Sequence, residues 1–293
     1  VWPGAGRRSD AHDDGSSPVT TTDRSLGRLA GRVALVTGAA RGQGRSHAVR
    51  LAAEGADVIA LDVCAQVADV DYATATVDDL STTARMVDEA GGRVVTAAVD
   101  VRDAAGMGAA VAAGVAELGR LDVVVANAGV CAIRRWDEVE PPLWDTVVGI
   151  NLTGVWNTCV ASLPHLVGSG GGSMILISST AGLKGQPFLT AYVAAKHGVV
   201  GIMRSLANEL ASKHIRVNSL HPTGVDTPML NAMGGLTERI ADDPQVGSLF
   251  RNSLPVDLVT SEDVSDAVVF LASDESRFVT GLTMTVDAGA AAR

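Results

Sequence analysis

Aromatic side chains are scarce in this chain of 293 residues, which has two tyrosines, four phenylalanines and four tryptophans. Alanine, valine and glycine are abundant instead. That mixture speaks against an all-β sandwich and suits helices packed closely on a sheet. Cysteine is also rare. Cys64, Cys131 and Cys159 form no C-x-x-C pair, and their odd number speaks against a disulfide framework, so reduced thiols in a cytoplasmic protein are expected. No cluster of His, Cys, Asp or Glu has metal-ligand spacing, so no metal is expected. Dense runs of Lys and Arg are lacking, and the net charge is −10. Nucleic acid and anionic membrane are thereby disfavoured as main partners. Apolar runs are broken by Asn, Asp or Gly before about 18 residues, so no transmembrane helix is expected.

Residues 1–27 are rich in Gly, Ser, Thr, Pro, Asp and Arg and lack apolar periodicity, which predicts a disordered extension. Arg7-Arg8 is followed by no apolar stretch of the kind an export signal needs. From Arg32 onward apolar strands alternate with amphipathic helices. Strands are predicted over 32–37, 57–62, 93–100, 121–129, 173–179, 215–222 and 282–287. Helices are predicted over 44–55, 79–90, 104–119, 142–166, 190–212 and 261–273, the last with Thr260 as N-cap and Asp263 three residues on. Alternation of this kind gives a parallel sheet covered on both faces. The expected fold is α/β, a single Rossmann-type doubly wound domain over 28–293 with helices on both faces of the sheet.

Directly after the first strand, "TGAARGQG" places glycines at 38, 42 and 44 where strand turns into helix. Glycine permits the tight turn and lets backbone N–H groups approach a pyrophosphate, whose charge the helix N-terminus favours. About twenty residues on, Asp62 ends the next strand. A carboxylate there accepts hydrogen bonds from ribose hydroxyls and repels a 2′-phosphate, which favours NAD over NADP. Arg41 leaves both readings open, as a surface residue or as a cation able to serve NADP. Further along, Tyr192 and Lys196 stand one turn apart on one helix face. Ser179 ends the fifth predicted strand at the ligand-binding edge, and Asn151 lies inside a long helix, where an Asn needs a reason.

Thr37-Gly38-x-x-x-Gly42-x-Gly44, Asn127-Ala128-Gly129, Asn151, Ser179 and Tyr192-x-x-x-Lys196 together resemble the short-chain dehydrogenase/reductase family over about residues 30–289. Pro222-Thr223-Gly224, on through Val225 to Thr227, matches a Pro-Gly stretch placed similarly in that family. The resemblance implies one Rossmann-type domain, a homotetramer built partly from the two long central helices, and NAD as cofactor. It implies Tyr192 as acid/base, Ser179 orienting the substrate oxygen, Lys196 holding the nicotinamide ribose and lowering the Tyr192 pKa, and Asn151 holding a water of the proton relay. Asn127 to Gly129 would line the adenosine side, Asp100 and Val101 would contact adenine, and Thr227 would meet the nicotinamide amide. Bringing a tyrosine from about 10 to near 7 needs roughly 4 kcal/mol. One ammonium at about 4 Å supplies that at an effective dielectric near 20.

Two features depart from the common family pattern. The turn continues as Gln43-Gly44-Arg45-Ser46-His47, and an irregular stretch, 63–80, separates Asp62 from the next helix where two to six residues are usual. Together they resemble the branch of carveol dehydrogenase-like and mycofactocin-coupled oxidoreductases. That branch holds NAD tightly and passes electrons to a separate redox carrier. Val63 and the residues after it either fold over the adenosine or form a surface or inter-subunit loop. His47 reads equally as packing near the turn, and Gln43 as a tolerated polar residue near phosphates. Residues 225–258 should form a substrate flap. Met229, Leu230, Met233, Leu236, Phe250 and Leu254 lie in it, Leu183, Phe188 and Leu189 flank the catalytic helix, and no Arg or Lys occurs between Val225 and Thr237. A small hydrophobic alcohol or ketone fits such a lining. Three functions are open: an alcohol dehydrogenase with captive NAD, one with freely exchanging NAD, and a non-catalytic NAD-binding regulator. The intact Ser179, Tyr192, Lys196 and Asn151 speak against the third.

Overall fold

Every residue of β1 (Val33–Thr37) is buried, as befits a strand covered on both faces. The computed structural model describes residues 27–231, 235–242 and 244–292. The expected disordered extension therefore lies, but for Gly27, outside the described residues. Within them β1 is joined by β2 (Asp57–Asp62), β3 (Val94–Ala98), β4 (Val123–Ala126), β5 (Gly172–Ile177), β6 (Ile215–Pro222) and β7 (Thr283–Val286). These strands form one sheet in the order β3-β2-β1-β4-β5-β6-β7, with every pairing parallel. The order reverses between β1 and β4, which opens a crevice at their carboxyl ends.

The period-two alternation of each strand feeds two separate cores. Val33, Leu35, Ile59 and Leu61 face the layer of α3 (Ala104–Leu118), α4 (Pro141–Val148), α5 (Gly154–Gly168) and α6 (Thr190–Glu209). Ala34, Val36, Val58 and Ala60 face α1 (Gly42–Ala53), α2 (Val77–Glu89) and α10 (Ser261–Ala272). Helix α10 begins as expected. Asp263 N–H donates to the Thr260 hydroxyl at 3.2 Å, and Thr260 N–H donates to the Asp263 carboxylate at 2.8 Å. Such a box is worth about 1 kcal/mol. A second box, Thr76 with Asp79, starts α2 at Val77. It shortens the irregular stretch to residues 63–76.

The expected long helix runs from Pro141 to Gly168, but a π-turn, Gly149–Thr153, divides it into α4 and α5. By length and apolar content alone this helix could cross a bilayer. It lies on the sheet instead, packed against α3 and α6, with Asn151 fully buried near its middle. Between β6 and α10 the flap folds into α7 (Pro228–Asn231), α8 (Gly235–Asp242) and α9 (Pro244–Ser248). Met233 lies outside the described residues.

Candidate active site

The phosphate-binding turn is moulded around missing side chains. Gly38 has φ +66°, and a Cβ on Gly44 would stand 1.9 Å from the Gly38 carbonyl oxygen. Asn127 locks the turn from the next strand, since its Nδ2 donates to the carbonyl oxygens of Thr37 (2.9 Å) and Gly38 (3.3 Å). The Thr37 hydroxyl accepts from the N–H groups of Asn127 (3.1 Å) and Ala128 (3.2 Å). The Asn127 side chain is thus spent on joining β1 to β4. Asp62 is 8% exposed and braces the other side. Its carboxylate accepts from Ala40 N–H at 3.0 Å and Cys64 N–H at 3.2 Å.

A cavity opens from this turn along the crevice. Its lining includes Gly38, Arg41, Gly42, Gln43, Gly44, Asp62, Val63, Asp100, Val101, Asn127, Ala128, Gly129, Tyr192, Lys196 and Thr227, all expected from the sequence. Ser179, Asn151, Pro222, Gly224 and Val225 are not among the lining residues. Val225 bridges to Val259, and a Cβ on Gly224 would meet Leu258 at 2.9 Å, so this Pro-Gly stretch anchors the flap. Thr227 does face the turn, its Cγ2 standing 3.4 Å from where a Gly42 Cβ would be. Arg102 grips Asp100 at 2.6–3.0 Å. Burial works to raise the Asp100 pKa, but the hydrogen bonds from Arg102 hold it below the ordinary value.

At the far end Tyr192 and Lys196 share one face of α6, with Lys196 Nζ 5.4 Å from the centre of the Tyr192 ring. Lys196 is buried, and Nζ donates to the Ile177 carbonyl at 2.8 Å. Burial pushes its ammonium pKa down to about 8. Burial also pushes the Tyr192 hydroxyl above its ordinary value, Cys131 adds to the rise, and the Ser179 side chain pulls it back. The surrounding protein thus does not bring Tyr192 near neutrality as the one-ammonium estimate anticipated. Lys196 is itself desolvated, with Nζ engaged by the Ile177 carbonyl. Ser179 lies just past β5 as the N-cap of a 3₁₀ turn, where its hydroxyl accepts from Ala181 N–H at 3.1 Å.

Asn151 has its reason in the π-turn. Its Nδ2 donates to the carbonyls of Val147 (2.8 Å) and Val130 (2.9 Å), while Oδ1 accepts from Val130 N–H at 3.2 Å. A Cβ on Gly129 would stand 2.8 Å from that oxygen. The Asn151 side chain therefore clamps the segment after β4 to the helix, with both its polar ends engaged there.

At Tyr192 and Met229 the cavity ends in an apolar chamber whose wall is a packed cluster. Cys131, Ile133 and Leu189 are buried in it, with Phe188, Met229, Leu236 and Phe250 packed around them. Leu254, by contrast, is exposed. Arg239 stacks 5.5 Å from the Phe188 ring but is paired with Glu138 at 2.9 Å. The lining is thereby apolar with its edge cation neutralised.

The profile described as short chain dehydrogenase matches residues 32–235. The chain belongs to the short-chain dehydrogenase family. Among its relatives is the (−)-trans-carveol dehydrogenase of Rhodococcus erythropolis, 48% identical over 273 residues, which span 90% of this chain and 99% of that one. A crystal structure of a Mycobacterium paratuberculosis short chain dehydrogenase bound to NAD superposes with TM-score 0.88 at 48% identity over 91% of this chain and all of that one. Carveol dehydrogenase from Mycobacterium avium in complex with NAD gives TM-score 0.86 at 46% identity over the same shares.

In this short-chain dehydrogenase the irregular stretch 63–76 is a wall of the cavity. Val63, Val67, Tyr72, Thr74 and Ala75 line it. Its ends are tied internally, with the Thr74 hydroxyl donating to the Ala65 carbonyl at 2.7 Å and accepting from Val67 N–H at 3.1 Å. Arg41 Nη2 donates to the Ala73 carbonyl at 2.5 Å, so the cation beside the phosphate turn is directed into this wall. His47 is fully buried between α1 and α10. The Ser265 hydroxyl donates to the Ser261 carbonyl at 2.9 Å, which leaves it to accept from His47 Nδ1–H at 2.8 Å. Burial pushes the His47 pKa down to about 3, so the ring is neutral. One functional neighbour carried no sequence signal: His221 Nδ1–H donates to the Ser179 carbonyl at 2.8 Å, and its Nε2 accepts from the Ser219 hydroxyl at 2.8 Å. All three cysteines are free.

Proposed function

We propose that this chain is an NAD-dependent alcohol dehydrogenase that interconverts a small hydrophobic secondary alcohol, such as a cyclic terpenoid alcohol, and its ketone. The observation that carries the reading is the meeting of Tyr192 and Lys196, backed by Ser179, with an apolar chamber at one end of a cavity whose other end is a phosphate-binding turn. The residues present fit a dinucleotide. Gly38 and Gly44 let the turn close tightly so that it lines the cavity at the α1 N-terminus, where a pyrophosphate is favoured, and the Asp62 carboxylate lines the cavity where a ribose would lie. NAD is favoured over NADP because Asp62 is acidic and Arg41 is engaged by Ala73.

Bound NAD would accept the hydride and bring a positive charge beside Tyr192. In alcohol oxidation the Tyr192 oxygen takes the hydroxyl proton, its deprotonated form favoured by that charge and by Lys196. Ser179 donates to the substrate oxygen and is held in place by His221. Lys196, fixed by Ile177, reaches the ribose side. Asn151 and Asn127 keep the cavity in shape, and any relay water associated with Asn151 would depend on groups other than its bonded carboxamide.

Insertion 63–76 supports a finer reading, in which NAD is retained between turnovers and reoxidised in place by a mycofactocin-type carrier in the cytoplasm. Exposed Trp144, Trp156 and Val160 on the long helix support a homotetramer. The test is to assay purified protein for NAD that survives dialysis, and for oxidation of carveol with and without an artificial electron acceptor. Retained NAD that turns over only with the acceptor supports the captive form. Turnover with added NAD alone assigns an exchanging enzyme, and no oxidation of carveol or other cyclic secondary alcohols under either condition removes the dehydrogenase reading.

A further inference from the structure

Tyr72 does more than line the cavity. Its ring is 9% exposed within the larger core, and its phenolic oxygen accepts from Cys131 N–H at 3.1 Å. Cys131 belongs to the apolar chamber beside Tyr192, so the hydrogen bond runs from the wall of the cofactor cavity to the wall of the substrate chamber. Two further ties run in parallel. Asp71 pairs with Arg134, on the same segment after β4, at 2.7 Å, and Asp69 accepts from the Thr146 hydroxyl on α4 at 3.0 Å.

We propose that Tyr72 is a positioning residue that couples the insertion to the chamber segment 130–134, so that lifting the insertion from the cofactor also loosens the chamber wall. The coupling rests on the NAD-dependent reading above. Its physical basis is that Cys131 is itself buried, so its N–H has no route to water while the insertion is closed. Removing the acceptor leaves a buried donor unsatisfied, which drives the segment to rearrange. Linkage makes the effect reciprocal, and a ligand that orders the chamber slows cofactor escape.

The test is Tyr72→Phe, which keeps the ring and removes only the hydroxyl. In the NAD-loaded protein, amide hydrogen exchange of residues 130–134 should rise about tenfold, while exchange in 66–69 stays as in the unaltered protein. NAD dissociation, followed by dilution and fluorescence, should be faster by a similar factor. The KM for a cyclohexanol-type secondary alcohol should rise with kcat within about twofold, a split that general destabilisation does not produce. Asp71→Asn keeps the phenol and should move the same readouts less. Unchanged exchange at 130–134, or faster exchange there with unchanged NAD release, overturns the proposal. Absence of NAD binding by the unaltered protein would instead remove the dehydrogenase reading. In that case the exchange comparison between unaltered and Tyr72→Phe proteins still decides whether Tyr72 holds the segment.

Discussion

Tyr192 carries the heaviest demand of any single residue. Burial raises its pKa and lowers that of Lys196 to about 8, so a positive charge brought beside the pair would favour the deprotonated Tyr192. Tyr192→Phe should fold and bind NAD with little change, yet lose on the order of a thousandfold or more in turnover, which calorimetry and steady-state rates would separate. Residual turnover within tenfold of the unaltered enzyme would show that another group moves the proton. Asp62 is the residue proposed to set the cofactor choice. Asp62→Asn preserves an acceptor for Ala40 N–H and removes the charge, so the preference for NAD over NADP should fall by at least about tenfold. The ratio of the two dissociation constants reads this directly. At this scale the sequence was informative because each residue's chemistry is its own. Tyr192, Lys196, Asp62 and the glycines all line the predicted cavity. His221 escaped notice because its partner Ser179 lies 42 positions away and only folding brings them together.

Among the elements, insertion 63–76 has the most to reveal. It has little regular structure, but Val67, Val70 and Tyr72 are buried in the main core, which distinguishes it from a surface loop. Deleting residues 65–76 should accelerate NAD release by more than the single change at Tyr72, measured as the half-time of cofactor loss on dilution. An unchanged half-time would mean that retention comes from the phosphate turn alone. Strands and long helices were legible in the sequence because period-two and 3.6-residue patterns are local. The π-turn was not, because its signal is one buried amide whose partners, Val147 and Val130, belong to two different segments. The closure of 63–76 was equally hidden, since polar and apolar residues alternate there without a period and their partners sit at Cys131, Arg134 and Thr146.

For the whole molecule, acid should be the weak side. His47 titrates at about 3 in the fold against an ordinary 6.5, because burial disfavours its charge. The unfolded chain binds that proton first, so stability falls as pH drops from about 6.5 toward 3, by about 1.4 kcal/mol per pH unit. Glu54 is held at about 2, chiefly by its hydrogen bond from Arg28, and its stabilisation is lost as pH drops from about 4.5 toward 2. The two effects share a sign, but of the two only His47 acts between pH 6.5 and 4.5, where His221, also lowered by burial, adds to the slope. His47→Leu should therefore flatten the pH dependence of unfolding free energy in that window, measured by urea titration at several pH values. An unaltered slope would mean that His47 is protonated in the fold.

The α1 side of the sheet has a consequence for engineering. Ala34, Ala48, Ala52 and Ala60 are all at most 2% exposed, so the helix that begins at the phosphate turn rests on methyl groups. Small contacts set a short spacing between helix and strand. Enlarging any of them, a routine way to stabilise a core, would lift α1 and carry the N–H groups of the turn away from the crevice. Thermal tolerance in this enzyme is therefore better sought on the opposite face, away from the cavity, at residues such as Leu166, Met174 and Leu206.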